Sequence, residues 1–70
     1  MENKFKDMLK ELREERGLSM NELGKAIGCV NHAMIAGWES GRVKPGLDYL
    51  IMLARFFEVT CGQLMGEEEY

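Results

Sequence analysis

Leu18-Ser19-Met20-Asn21-Glu22-Leu23-Gly24-Lys25-Ala26-Ile27-Gly28 is the stretch on which the fold turns. Ser19 and Glu22 stand three residues apart, the spacing of a capping box. The hydroxyl takes a backbone N–H inside the helix and the carboxylate takes the one at its start. Leu18 and Leu23 flank that box as a hydrophobic staple. Leu23 and Ile27 share a face and Gly28 stops the run, which predicts a helix of about two turns. The segment from Asn31 to Ser40 opens on an N-cap residue and closes at Gly41, a second helix. Within it, Trp38 together with Met34 or Ile35 should face the core.

Outward toward the N-terminus, Phe5, Met8, Leu9 and Leu12 recur at i, i+3, i+4 and i+7, the stripe of an amphipathic helix. Gly17 is its natural C-cap, with Arg16 near the negative end of the helix dipole. In the other direction, Gly41-Arg42-Val43-Lys44-Pro45-Gly46 is a loop by composition. A fourth helix should run from near Leu47 to Glu58. Leu47, Leu50, Ile51, Ala54 and Phe57 form one stripe on it, and Tyr49, Met52, Leu53 and Phe56 a second. Apolar almost all round, it is expected to be buried on more than one side. Thr60-Cys61-Gly62-Gln63 repeats the capping-box spacing, so a last short helix should carry Leu64 and Met65. No alternating pattern of useful length exists, and the fold class is all-α with five helices.

Seventy residues make one domain, 1–70, with 67–70 as an acidic tail. Such a chain buries only about 60% of its unfolded surface, so its stability should be small. No apolar run approaches the roughly 20 residues of a membrane span. The charged N-terminus has no signal-peptide core, and the expected location is cytoplasmic. Cys29 and Cys61 stand far apart without paired spacing. They read as small buried hydrophobes, not as a disulfide or a metal site. The formal net charge is −3, an unusual balance for a nucleic-acid binder. Glu67, Glu68 and Glu69 carry all of it, however, because without them acids and bases are equal in number. Local patches matter more than the total when the partner is a polyanion.

Two short capped helices joined by a Gly-containing turn are a helix-turn-helix. On double-stranded DNA the first helix of such a pair crosses the backbone. The second lies in the major groove, where its early side chains meet base edges. One such unit reads only a few base pairs, so useful specificity calls for a homodimer on two half-sites. The second stripe of the fourth helix, with Leu64 and Met65, is the candidate dimer contact.

The order Leu9, Leu12-Arg13, Gly17-Leu18-Ser19, Glu22-Leu23-Gly24, Ile27-Gly28, then Trp38-Glu39-Ser40-Gly41-Arg42 and Pro45, resembles the phage-repressor and Cro-like helix-turn-helix family of transcriptional regulators. The close, Leu53-Ala54, Phe57, Val59-Thr60, Leu64-Met65-Gly66, is similar to that family's last two helices. The resemblance covers nearly the whole chain. It implies a lambda-repressor-like five-helix bundle and a sequence-specific DNA-binding regulator, with repression as its expected mode. It also implies an ion pair between Arg13 and Glu39, phosphate contacts from Arg42 and Lys44, and a recognition helix that begins at Asn31 and His32.

Three departures stand out. Met20 occupies a position where the family often has a phosphate-binding Gln, and Asn21 is the candidate substitute. The segment from Gly28 to Glu39 is one residue longer than usual. Counted from Gly28 the base readers are Asn31 and His32; counted back from Trp38 they are His32 and Ala33. Finally, no Lys or Arg lies between Lys25 and Arg42. Ala33, Ala36 and Gly37 are small, suited to close approach and to thymine methyls, but they cannot make the Arg–guanine contact that commonly supplies specificity.

These departures keep a second reading open, a helix-turn-helix module that binds protein and has weak or no affinity for DNA. An enzyme is the third class, and the expectation is that the chain is not one. The sequence offers no nucleophile–base set, no metal-ligand cluster and no phosphate loop, and no cofactor is expected.

Overall fold

The computed structural model describes residues 4–28 and 30–66. The expectations for Cys29 and for the acidic tail at 67–70 lie outside the described residues. Five helices follow in order: α1 (Phe5–Glu15), α2 (Met20–Ala26), α3 (His32–Ser40), α4 (Leu47–Phe57) and α5 (Cys61–Leu64). Among the described residues there is no strand.

The helix starts are set by local hydrogen bonding. The Glu22 N–H donates to Ser19 Oγ at 3.0 Å, and the Ser19 N–H donates to Glu22 Oε1 at 2.8 Å. Thr60 and Gln63 repeat the exchange at α5, at 2.9 and 3.0 Å. At α3 the Met34 N–H donates to Asn31 Oδ1 at 2.9 Å. Three of the four orphan-amide ends after α1 are thus capped by side chains chosen for that role. The fourth helix stops one residue short of the expected end. Glu58 adopts a left-handed conformation (φ 59°) as its C-cap.

Phe5, Leu9, Leu12, Leu23, Ile27, Ile35, Trp38, Leu53, Ala54, Phe57 and Leu64 are buried and form one core. α3 packs on α1 and α2, and α5 closes against α4 and α1. The Lys4 N–H donates to the Met65 carbonyl at 3.0 Å, tying the start of α1 to the end of α5. Trp38 sits at the centre, 1% exposed, with its ring centroid 5.2 Å from that of Tyr49 on α4. At the far end of α1 the Arg16 guanidinium lies over Phe56 and Phe57, 5.2 and 5.4 Å from their centroids.

Several packing expectations change. Ile35 is the core residue of α3, whereas Met34 is exposed. Cys61 is half-buried, not buried. α4 is not enclosed on all sides: Leu47 (70% exposed), Ile51 (37%) and Met52 (38%) face outward. Leu53 and Leu64, assigned to a dimer contact, are fully buried in their own core and cannot make one. The reason is topological. α5 packs against α4, Leu53 and Leu64 join the same core, and the first stripe is left open at its N-terminal end.

Gly24 sets the turn between α2 and α3. A Cβ there would overlap the backbone carbonyl of Val30, whose own N–H donates to the Gly24 carbonyl at 3.0 Å. Alanine at position 24 would gain about 1 kcal/mol of helix propensity. It would also force a backbone carbonyl, which no rotamer change can move, out of its place. Gly24→Ala is therefore expected to lose about 1–3 kcal/mol net, read by urea denaturation. A neutral or stabilised variant would show that the turn yields freely.

Candidate nucleic-acid interface

Arg13 joins three elements. Its Nε donates to Glu39 Oε2 at 2.7 Å and its Nη2 to Glu39 Oε1 at 3.0 Å, a bidentate pair. Nη1 donates to the Leu18 carbonyl at 2.8 Å. α1, the entry to α2 and the last turn of α3 thus meet at one guanidinium. The two side chains are only 11% and 4% exposed. Donation to Glu39 holds the Arg13 pKa above its ordinary value, against the desolvation that would lower it. A planar fork with fixed donors suits a site where three fixed acceptors converge.

That brace fixes the pose of α3, and the core fixes its rotation. Ile35 and Trp38 point inward. Asn31, His32 and Ala33 are exposed together at the N-terminal end. Ahead of α3, Gly28 takes φ 113°, a value L side chains rarely adopt. α3 remains a regular helix with its first turn open to solvent. Asn31 holds the cap with Oδ1, which leaves its Nδ2 amide free to donate outward. Ala36 is half-buried on the next turn.

Asn21 is exposed on the first turn of α2. Met20 is half-buried and packs against the core, so its thioether serves the interior. Hydrogen bonds from Ser19, backbone first and hydroxyl second, hold the Glu22 carboxyl below its ordinary value. A negative charge therefore sits at this end of α2. Arg42 and Lys44 are exposed on the α3–α4 loop.

Gly37 is not an open groove-facing residue as the sequence suggests. It is buried beneath the loop. A Cβ at Gly37 would stand 3.0 Å from Val43 Cγ2 and 3.5 Å from Arg42 Nη2. The Val43 N–H donates to the Gly37 carbonyl at 3.1 Å. Sequence reasoning passed over Val43, although a glycine inside a helix, costing about 1 kcal/mol against alanine, is itself a sign of close approach. Among the described residues no group of three or more His, Cys, Asp or Glu could hold a metal ion. No helix among them is long and apolar enough to cross a membrane.

Comparison with known proteins agrees with this geometry. A helix-turn-helix family model matches residues 9–64. The chain is 38% identical over 63 residues to the HTH-type transcriptional regulator AnsR of Bacillus subtilis (strain 168), covering 90% of this chain and 53% of that protein. It is 31% identical over 65 residues to the cryptic phage CTXphi transcriptional repressor RstR of Vibrio cholerae, covering 93% and 58%. A crystal structure of a transcriptional regulator from Listeria innocua superposes with a TM-score of 0.88 at 27% identity, over 100% of this chain and 64% of that one. The chain thus spans little more than half the length of these two curated relatives.

Removing Glu39 tests the brace. Glu39→Ala leaves a nearly buried guanidinium with only the Leu18 carbonyl as acceptor, and a loss of about 3 kcal/mol is expected in chemical denaturation. Arg13→Met combined with Glu39→Leu should recover most of that loss, because replacing both charges removes the unpaired one. A single variant within about 0.5 kcal/mol of the parent, the range of ordinary surface changes, would show that the pair is solvent-screened.

Proposed function

Because the chain belongs to the phage-repressor-like helix-turn-helix family, we propose that it is a sequence-specific double-stranded DNA-binding transcriptional regulator, with residues 1–70 acting as one unit. The observation that carries this reading is the open first turn of α3. Asn31, His32 and Ala33 project from a helix whose other side is locked by Ile35, Trp38 and the Arg13–Glu39 pair. A rigid helix with a slim outer face fits the major groove, and its early residues reach base edges.

In this reading Asn31 and His32 read bases, and Ala33 and Ala36 allow close approach and contact thymine methyls. Asn21 bonds phosphate from α2, and Lys44 neutralises phosphate from the loop. Arg42 lies on the same face. The domain represses where its operator overlaps a promoter. It works as a homodimer on DNA, and Leu47 and Ile51 join Met52 at that contact in place of the buried Leu53 and Leu64. No catalytic step, cofactor or membrane contact enters this function.

In vitro selection of bound duplexes from a random pool should enrich an inverted repeat. Its half-sites should lie about 10–10.5 bp apart, the spacing of one helical turn. His32→Ala should alter base preference. Lys44→Ala should weaken all duplexes alike and flatten the salt slope by about 0.9. Failure to bind any duplex at roughly 50 mM salt, where phosphate contacts are strong, would overturn this reading and favour the protein-binding one. For the dimer, Leu47→Glu should leave helicity intact and abolish cooperative filling of the two half-sites. Unchanged cooperativity would place the contact elsewhere.

A further inference from the structure

The helix that enters the groove in the proposed reading carries no Lys or Arg from His32 to Ser40. The side of that helix turned away from Ile35 and Trp38 carries Ala33, Ala36, Gly37 and Ser40, and the α3–α4 loop covers it at Gly37. Ala33 and Gly37 are one turn apart on that side. No side chain of α3 itself can offer the fork of donors that suits a guanine edge.

A guanidinium is nevertheless present on that surface. Gly41, left-handed at φ 81°, turns the chain back along α3. The Val43 N–H donates to the Gly37 carbonyl at 3.1 Å and the Arg42 N–H to Ser40 Oγ at 3.3 Å, so the loop backbone is bonded to the last turn of the helix. Arg42 Nη2 then comes to 3.5 Å from the place where a Cβ of residue 37 would stand. That nitrogen lies over Gly37, while the residue as a whole is exposed. Among the described residues it has no carboxylate at ion-pair distance, and its guanidinium N–H groups have no hydrogen-bond acceptor.

We infer that Arg42 is a specificity-determining residue that reads a base. From the loop it lays its guanidinium over Gly37, alongside α3, and presents its donors to the O6/N7 edge of a guanine in the major groove. The inference rests on α3 being the groove helix, and it replaces the phosphate contact first expected for Arg42. Glycine at position 37 is part of the device. A larger residue there would fill the space that Val43 and the guanidinium occupy, which accounts for a poor helix former in mid-helix. Resting on the helix also pre-orders a long side chain, which lowers the entropy lost on binding. Lys44, two residues further along the loop, is left for phosphate, where a point charge suffices.

The test uses the duplex selected by the parent protein and a panel carrying each single base-pair change. Affinities are measured for the parent, Arg42→Ala, Arg42→Lys and Lys44→Ala, with circular dichroism confirming the fold of each. The parent should prefer guanine at one position of each half-site by about tenfold, the size of a good bidentate contact. Arg42→Ala and Arg42→Lys should both flatten that one position to about twofold or less and leave the other preferences intact. Lysine cannot reproduce the fork, so its failure to rescue separates base reading from charge. A uniform loss across the panel for Arg42→Ala, restored by lysine and matching Lys44→Ala, would overturn the inference and leave DNA binding standing. A parent that selects no duplex at all would overturn both.

Discussion

The bidentate contact between Arg13 and Glu39 is the constraint on which the interface depends. Two nearly buried charges meet at 2.7 and 3.0 Å, and the third arm of the same guanidinium holds the Leu18 carbonyl. A domain of this size has only about 5–10 kcal/mol of total stability. An unpaired buried charge, costing about 3–5 kcal/mol, would consume much of it. The pair therefore works mainly as a geometric device. It admits one arrangement of α1, the α2 entry and the end of α3, and it makes other arrangements expensive. The exposed turn at Asn31 to Ala33 owes its fixed direction to a contact at the opposite end of the same helix.

Rigidity at that end is matched by economy of size on α2 and α3. Gly24 lets the Val30 backbone close against α2, and Gly37 lets Val43 and Arg42 close against α3. In both places a missing side chain brings another segment in, and each costs helix propensity. The overall acidic charge looks contrary to DNA binding only when counted over the chain. Glu39 is neutralised internally by Arg13, while Arg42 and Lys44 remain exposed beside α3. The field a polyanion meets depends on that placement more than on the sum.

α4 shows how connectivity reassigns faces. Its two apolar stripes look equivalent along the chain. Leu53, Ala54 and Phe57 are enclosed in the common core, and Leu47, Ile51 and Met52 stay at the surface. Scattered exposed apolar residues are ordinary, and here three of them fall within six positions of one helix.

The sequence by itself determined the helices and most of their ends. Ser19 with Glu22, Thr60 with Gln63, and Asn31 before Met34 act through hydrogen bonds three residues apart, which need no knowledge of the rest of the molecule. Gly17 and Gly41 mark stops for the same local reason, and the i, i+3, i+4 stripe of α1 shows which face must be buried. Only the tertiary structure decided which faces met. It chose Ile35 over Met34, enclosed Leu53 and Leu64, left Leu47 in solvent, and put Val43 and Arg42 over Gly37. Those outcomes depend on how helices cross and on where a loop returns. Residues distant along the chain fix both, so no local pattern can encode them.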